Sequence, residues 1–149
     1  MAGTYLVGEK KKAAILKGSK KLFYKKGYAA TTYNDISSYL QINRALIPYH
    51  FDSKQALAAS VYNEIIDTAF NEADELLSVS ELSDDLASAI HIVIYYRLFN
   101  DKQFAAFTCD LIDEGYKLLT DTDKEKTLIR KLDKYFSRLD DNTFQLICS

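Results

Sequence analysis

The sequence of 149 residues holds no tryptophan, one methionine, one proline and five glycines. Proline and glycine are the strongest breaks in local structure, so their scarcity leaves long stretches free to run as helix. Cysteine is nearly absent too: Cys109 and Cys148 lack CxxC spacing, which argues against a disulfide scaffold or zinc clip and for free thiols in a structural role. His50 and His91 are the only histidines, far apart and without the neighbours of a metal site. No glycine-rich phosphate loop is present, and the acidic pairs Asp84-Asp85 and Asp140-Asp141 fall at expected helix ends, where solvent and capping account for them. Catalytic residues, metals and cofactors are therefore not expected. The apolar run from His91 to Tyr96 is bounded by Asp85 and Arg97, too short to cross a bilayer. Met1 to Gly8 leads directly into lysines without a cleavable signal pattern, so a cytoplasmic protein with no membrane partner is expected.

What is present is helical periodicity and uneven charge. Residues 1–60 carry ten Lys or Arg against three acids, a formal +7; the whole chain is −2, so the remaining residues carry −9. One basic end and one acidic end suggest a nucleic-acid face and a body that does not touch nucleic acid. Apolar residues recur at helical spacing nearly throughout, which predicts an all-α fold. Residues 91–96 are rich in β-formers but lie within a longer pattern of Leu82, Leu86, Ile90 and Val93, and are read as a helix buried on several sides. Further helices are expected from Ser53 to about Leu77, Asp84 to Phe99, Lys102 to Leu119, and after Thr120–Asp123 through Leu139.

Residues 31–57 are the most specific segment. Thr31 or Thr32 offers a hydroxyl N-cap, and Asp35 follows near the positive end of the helix dipole. Tyr33, Ile36, Ser37 and Leu40 then form an inward stripe, with Asn34 and Ser38 facing out. Leu40-Gln41-Ile42 interrupts the pattern. Asn43 is a second N-cap, followed by Arg44, Ala45, Leu46 and Ile47 in a helix of barely two turns, with Leu46 or Ile47 locking it to the first. Arg44 and Ala45 fall at the exposed tip, where a guanidinium can fork onto guanine and a small residue admits close backbone approach. This is the order of a helix-turn-helix reader of the DNA major groove.

The segment from about Ile15 to Leu57 resembles the N-terminal DNA-binding domain of the TetR family of transcriptional repressors. The resemblance rests on Ile15-Leu16, Leu22-Phe23, Lys26-Gly27-Tyr28, Ala30-Thr31-Thr32, Asp35-Ile36, Tyr49-His50-Phe51-Asp52-Ser53-Lys54 and Ala56-Leu57. It implies DNA contacts from Tyr33, Asn34, Asn43, Arg44, Ala45, Leu46, Tyr49, His50 and Lys54. It also implies a three-helix DNA-binding domain over residues 1–52, and a helical effector-binding and dimerisation body over 53–149. The turn glycine usual in the family is Gln41 here, so a turn without a left-handed residue is expected. Pro48 removes an amide that would bond the Arg44 carbonyl, so the second helix is expected to end within a residue or two of it.

The same resemblance implies a homodimer on a palindromic double-stranded DNA operator, released by a small apolar or aromatic effector. Tyr62, His91, Tyr95, Tyr96, Phe99, Phe104 and Phe107 are the candidate effector residues, the hydroxyls of Tyr95 or Tyr96 and the His91 ring being the polar handles. A plain aromatic core is the competing reading of these rings. Two more long helices are usual in the family beyond the length of this sequence, so the dimer interface is expected on the helices ending at Leu119 and Leu139, or else weak. The alternative to an effector-released regulator is a protein of the same fold that works through a protein partner.

Overall fold

The computed structural model describes residues 2–78 and 84–115. Over these residues the chain is all-α: α1 Ala2–Lys26, α2 Tyr33–Leu40, α3 Leu46–His50, α4 Lys54–Ser78, α5 Asp84–Asn100 and α6 Lys102–Asp113. They fall into two compact units, one of residues 2–65 with 99–115, the other of 66–78 with 84–98. The helix expected through Leu139 lies outside the described residues. No helix of the described residues is long and apolar enough to cross a membrane.

The first unit is built on Ile15, Phe23, Ile36, Ile47, Leu57, Val61, Tyr62, Phe104, Phe107 and Leu111, each at most 1% exposed. Burying an aliphatic or aromatic side chain of this size is worth about 1.5–3 kcal/mol, so these residues fix how α1, α2, α3, α4 and α6 pack. Gly18 lets α2 lie close on α1, since a methyl group there would stand 2.7 Å from Leu40 Cδ2. Along α6, Phe104, Phe107 and Leu111 share one buried face; Phe107 stacks on Phe23 with ring centres 5.4 Å apart. Tyr24, half-buried beside this seam, has its hydroxyl pushed up to about 12 by desolvation, with Asp101 adding to the shift.

Two expectations from the sequence are corrected. The last described helix stops at Asp113 rather than Leu119: the Glu114 amide returns to the Asp110 carbonyl, and Gly115 turns left-handed at φ +80°. In α5, read from the sequence as buried on several sides, His91 alone is buried among the described side chains, while Val93 and Tyr96 are 51% and 68% exposed. His91 Nε2 lies 2.8 Å from Asp74 Oδ1, and its ring packs 5.3 Å from Phe70, all within the second unit.

Candidate nucleic-acid interface

Thr32, in extended backbone, is the N-cap of α2, and the pairing is reciprocal. Its hydroxyl accepts from the Asp35 amide at 3.2 Å while Asp35 Oδ2 accepts from the Thr32 amide at 2.7 Å. Lys26 Nζ sits 2.8 Å from Asp35 Oδ1, and these bonds hold the Asp35 carboxyl well below the usual carboxylate range. Thr31, the other candidate cap, is instead buried and donates to the Gly27 carbonyl at 2.7 Å. Ile36 and Ser37 face the core, while Asn34 and Ser38 face outward as the periodicity requires. Tyr33 is half-buried, and desolvation raises its hydroxyl pKa.

The turn after α2 overturns one expectation. Gln41 itself takes the left-handed conformation, φ 54° and ψ 44°. Its amide returns to Ser38 at 3.3 Å and the Ile42 amide to Ser37 at 3.0 Å, so two helix-end carbonyls are closed without glycine. Asn43 then starts the next turn, its Oδ1 accepting from the Ala45 amide at 2.9 Å. The regular part of α3 begins at Leu46, after a tight turn in which the Leu46 amide bonds Asn43 and the Ile47 amide bonds Arg44. The Arg44 carbonyl is thus paired despite Pro48, because a bond from three residues on replaces the missing one. Pro48 stands in the first turn, where a lost N–H matters least, and the helix ends two residues later at His50.

Ile47 is fully buried and anchors α3, so the rest of the short helix is turned outward. Asn43, Arg44, Ala45, Pro48 and Tyr49 are exposed, Tyr49 at 80%; Leu46 and His50 are half-buried. Tyr49 meets His50 edge-on at 5.0 Å at the C-terminal edge. Phe51 leaves the helix in extended backbone and is buried, with Lys12 Nζ 5.8 Å from its ring centre. Ser53 caps α4 through the Ala56 amide. Lys54 turns toward the loop between α1 and α2: its ammonium donates to the Ala29 carbonyl at 3.1 Å and lies 4.3 Å from the Tyr28 ring centre. Desolvation lowers its pKa, opposed by Glu114 and Asp110.

The nine residues assigned from the sequence to DNA therefore divide. Asn43, Arg44, Ala45, Leu46, Tyr49 and His50 share the short segment around α3, and Tyr33 and Asn34 open α2. Lys54 has one of its donors committed within the protein. Sequence reasoning missed Gly18, against which Leu40 packs, and Asp110, which accepts from the Tyr28 amide; the Thr32-to-Asp35 spacing could have decided between Thr31 and Thr32 as the cap.

The predicted effector residues form distinct groups. Tyr62 stacks on Phe104 at 5.7 Å and Phe99 meets Phe104 edge-on at 5.3 Å. Phe107 belongs with Phe23, and His91 with Phe70 and Asp74. Tyr96 is exposed, and the Tyr95 side chain lies outside the described residues. Cys109 is a free thiol on the exposed side of α6, so it packs no core; Cys148 lies outside the described residues.

Residues 15–61 match the model of the bacterial regulatory proteins, tetR family. Over these residues the chain is similar to the N-terminal domain of that family. It is 38% identical over 77 residues to the uncharacterized HTH-type transcriptional regulator YerO of Bacillus subtilis, covering 52% of this chain and 25% of that one. It is 31% identical over 70 residues to the biofilm operon icaADBC HTH-type negative transcriptional regulator IcaR of Staphylococcus aureus, covering 47% of this chain and 36% of the relative. The matches thus span a quarter to about a third of the length of these curated relatives. A crystal structure of a TetR-family transcriptional regulator from Agrobacterium tumefaciens aligns with TM-score 0.49 and 22% identity, over 89% of this chain and 66% of that one.

Proposed function

We propose that this chain is a TetR-family negative transcriptional regulator that binds a palindromic double-stranded DNA operator as a homodimer. Residues 1–52 read the DNA, while residues 53–149 carry dimerisation and a site for a small apolar or aromatic effector. The observation that carries this reading is the outward edge of the α3 segment: Arg44 and Ala45 in the turn that leads into α3, and Tyr49 on it, stand exposed beside the fully buried Ile47. An arginine on such an edge can give two parallel hydrogen bonds to guanine, and Tyr33, Asn34, Asn43, Leu46, Tyr49, His50 and Lys54 supply phosphate and flanking contacts. The negative sign follows IcaR, a negative transcriptional regulator.

Replacing Arg44 by Ala should weaken binding to a selected operator by about 1–3 kcal/mol and relax preference at one base pair. Lys54→Ala should weaken all duplexes alike and flatten the salt dependence, through whichever donors the Ala29 carbonyl does not hold. Titrations at two salt concentrations measure both, and wild-type behaviour in both variants would remove α3 from the DNA. Sedimentation of the chain alone and with operator tests the dimer.

A second reading is favoured by one observation: Tyr62, Phe104 and Phe107 are at most 1% exposed and packed ring on ring, as in a filled interior. In that case regulation works through a protein partner without an inducer. A thermal-shift screen of small apolar and aromatic compounds separates the two, since an effector raises the melting temperature with concentration and should also release DNA.

A further inference from the structure

We infer that Asp110 is a positioning residue for DNA recognition, capping the end of α1 from α6 and so fixing where the helix-turn-helix begins. This rests on the reading of α3 as a DNA reader. At the end of α1 the Gly27 amide returns to the Phe23 carbonyl at 2.9 Å, and Gly27 turns left-handed at φ +88°. At a helix end closed on itself, as at α2, the next amide also folds back onto the helix. Here it does not. The Tyr28 amide donates to Asp110 Oδ2 at 2.9 Å, across 82 positions of sequence. The carboxylate lies against the corner itself, since a Cβ on Gly27 would stand 3.6 Å from the same oxygen.

The rest of the corner is held in the same way, by side chains from outside the helix it terminates. The Thr31 hydroxyl donates to the Gly27 carbonyl at 2.7 Å, with a longer contact to Leu22 at 3.4 Å. Lys54 of α4 covers the Tyr28 ring and holds the Ala29 carbonyl. One helical turn before Asp110, Phe107 stacks on Phe23 one turn before Gly27, so the polar anchor and the aromatic anchor act on the same stretch of α1. Gln55 of α4 donates to the Glu114 carbonyl at 3.2 Å, tying the end of α6 to the start of α4. The direction in which the chain leaves α1, and hence the placement of Thr32 and α2, is set by a carboxylate that has no place among the DNA-facing residues.

Charge and position predict opposite effects, which makes the inference testable. Removing an acid should by itself strengthen non-specific attraction to phosphate. Losing the anchor should weaken selective binding instead. The test uses the full chain as wild type, Asp110→Asn and Asp110→Ala, with an operator selected by the wild type from random duplexes and an unrelated duplex as reference. Asp110→Asn keeps a carbonyl oxygen able to accept the Tyr28 amide; Asp110→Ala keeps none. The ratio of operator to reference affinity should fall about tenfold in Asp110→Ala, as expected for losing a hydrogen bond to a charged group, and stay near wild type in Asp110→Asn. An unchanged ratio in Asp110→Ala, or an equal fall in both, overturns the proposal. If Asp110→Ala does not fold, the isosteric Thr31→Val loosens the same corner: a reduced ratio supports the proposal and a wild-type ratio overturns it. If the wild type selects no sequence, the DNA-reader reading fails, and with it any role for Asp110 in recognition.

Discussion

Two corners of the helix-turn-helix segment, after α1 and after α2, both turn on a residue in the left-handed region, and they are closed by different means. After α2 the residue is Gln41, and two successive amides fold back onto Ser38 and Ser37. That corner is complete within its own six residues. After α1 the residue is Gly27, only one amide folds back, and the next is taken by Asp110 from a distant helix. The corner with the unfavourable residue is thus self-sufficient, while the corner with the favourable residue depends on the rest of its unit. Backbone strain and long-range anchoring are alternative ways of fixing a turn, and this segment uses one of each.

The largest effect should come from separating the corners, because α2 joins them and its last residue, Leu40, lies across Gly18. Valine at position 18 would place its Cβ 2.7 Å from Leu40 Cδ2 and two further methyls in a filled interface. Gly18→Val should therefore lower stability by about 2–3 kcal/mol in urea denaturation, the range for overpacking a close contact. Adding Leu40→Ala to Gly18→Val should return part of that loss, since the two residues share one volume. Strictly additive losses would mean that the two helices do not meet at this point.

Next in size come opposite substitutions at the two corners. Gly27→Ala meets only an ordinary contact with Asp110, so its cost is the backbone strain of a left-handed alanine, about 1–2 kcal/mol. Gln41→Gly relieves that strain but gives the unfolded chain more freedom, so the net gain should be smaller, up to about 1 kcal/mol. Denaturation midpoints moving in opposite directions would support the contrast. A destabilising Gln41→Gly would show that the glutamine side chain holds the turn by contacts of its own.

The two corners also differ in how far the sequence reveals them. The α2 stripe, the Asn43 turn and the stop after Pro48 depend on residues within a few positions of each other, so spacing alone gives them. The left-handed Gln41 escaped because glutamine has no preference for that conformation; it lies between Ile36 and Ile47, both fully buried. Asp110 was invisible for a different reason, since nothing in a sequence pairs position 28 with position 110. The aromatic rings were legible as a group of residue types, but their division among Tyr62–Phe104, Phe23–Phe107 and Phe70–His91 is decided by helix packing. Lys54 illustrates the same limit. Its charge suggested phosphate, while its geometry gives one donor to the Ala29 carbonyl.

The smallest expected effect concerns the segment between the corners, where Thr32 and Asp35 cap α2 and Lys26 at the end of α1 pairs with the same carboxylate. The Lys26 ammonium, then the Thr32 hydroxyl and amide, hold the Asp35 carboxyl below its ordinary value. A carboxyl held lower in the folded than in the unfolded chain adds stability that is complete above the unfolded value, about 4, and is lost as pH falls through the folded value. The contribution should thus be intact near neutrality and shrink only in acid. Asp35→Asn should lose the charge-dependent part at every pH, so its melting temperature should lie below wild type at about pH 6 and converge with it only as the pH falls past the unfolded value toward the much lower folded one. Thr32→Ala removes the other half of the cap at a cost of about 1 kcal/mol, and that loss should persist into acid, because the hydroxyl bond to the Asp35 amide does not titrate. Parallel melting curves for wild type and Asp35→Asn through the acid range would show that the carboxylate contributes no charge-dependent stability and that the segment is held by its hydroxyl alone.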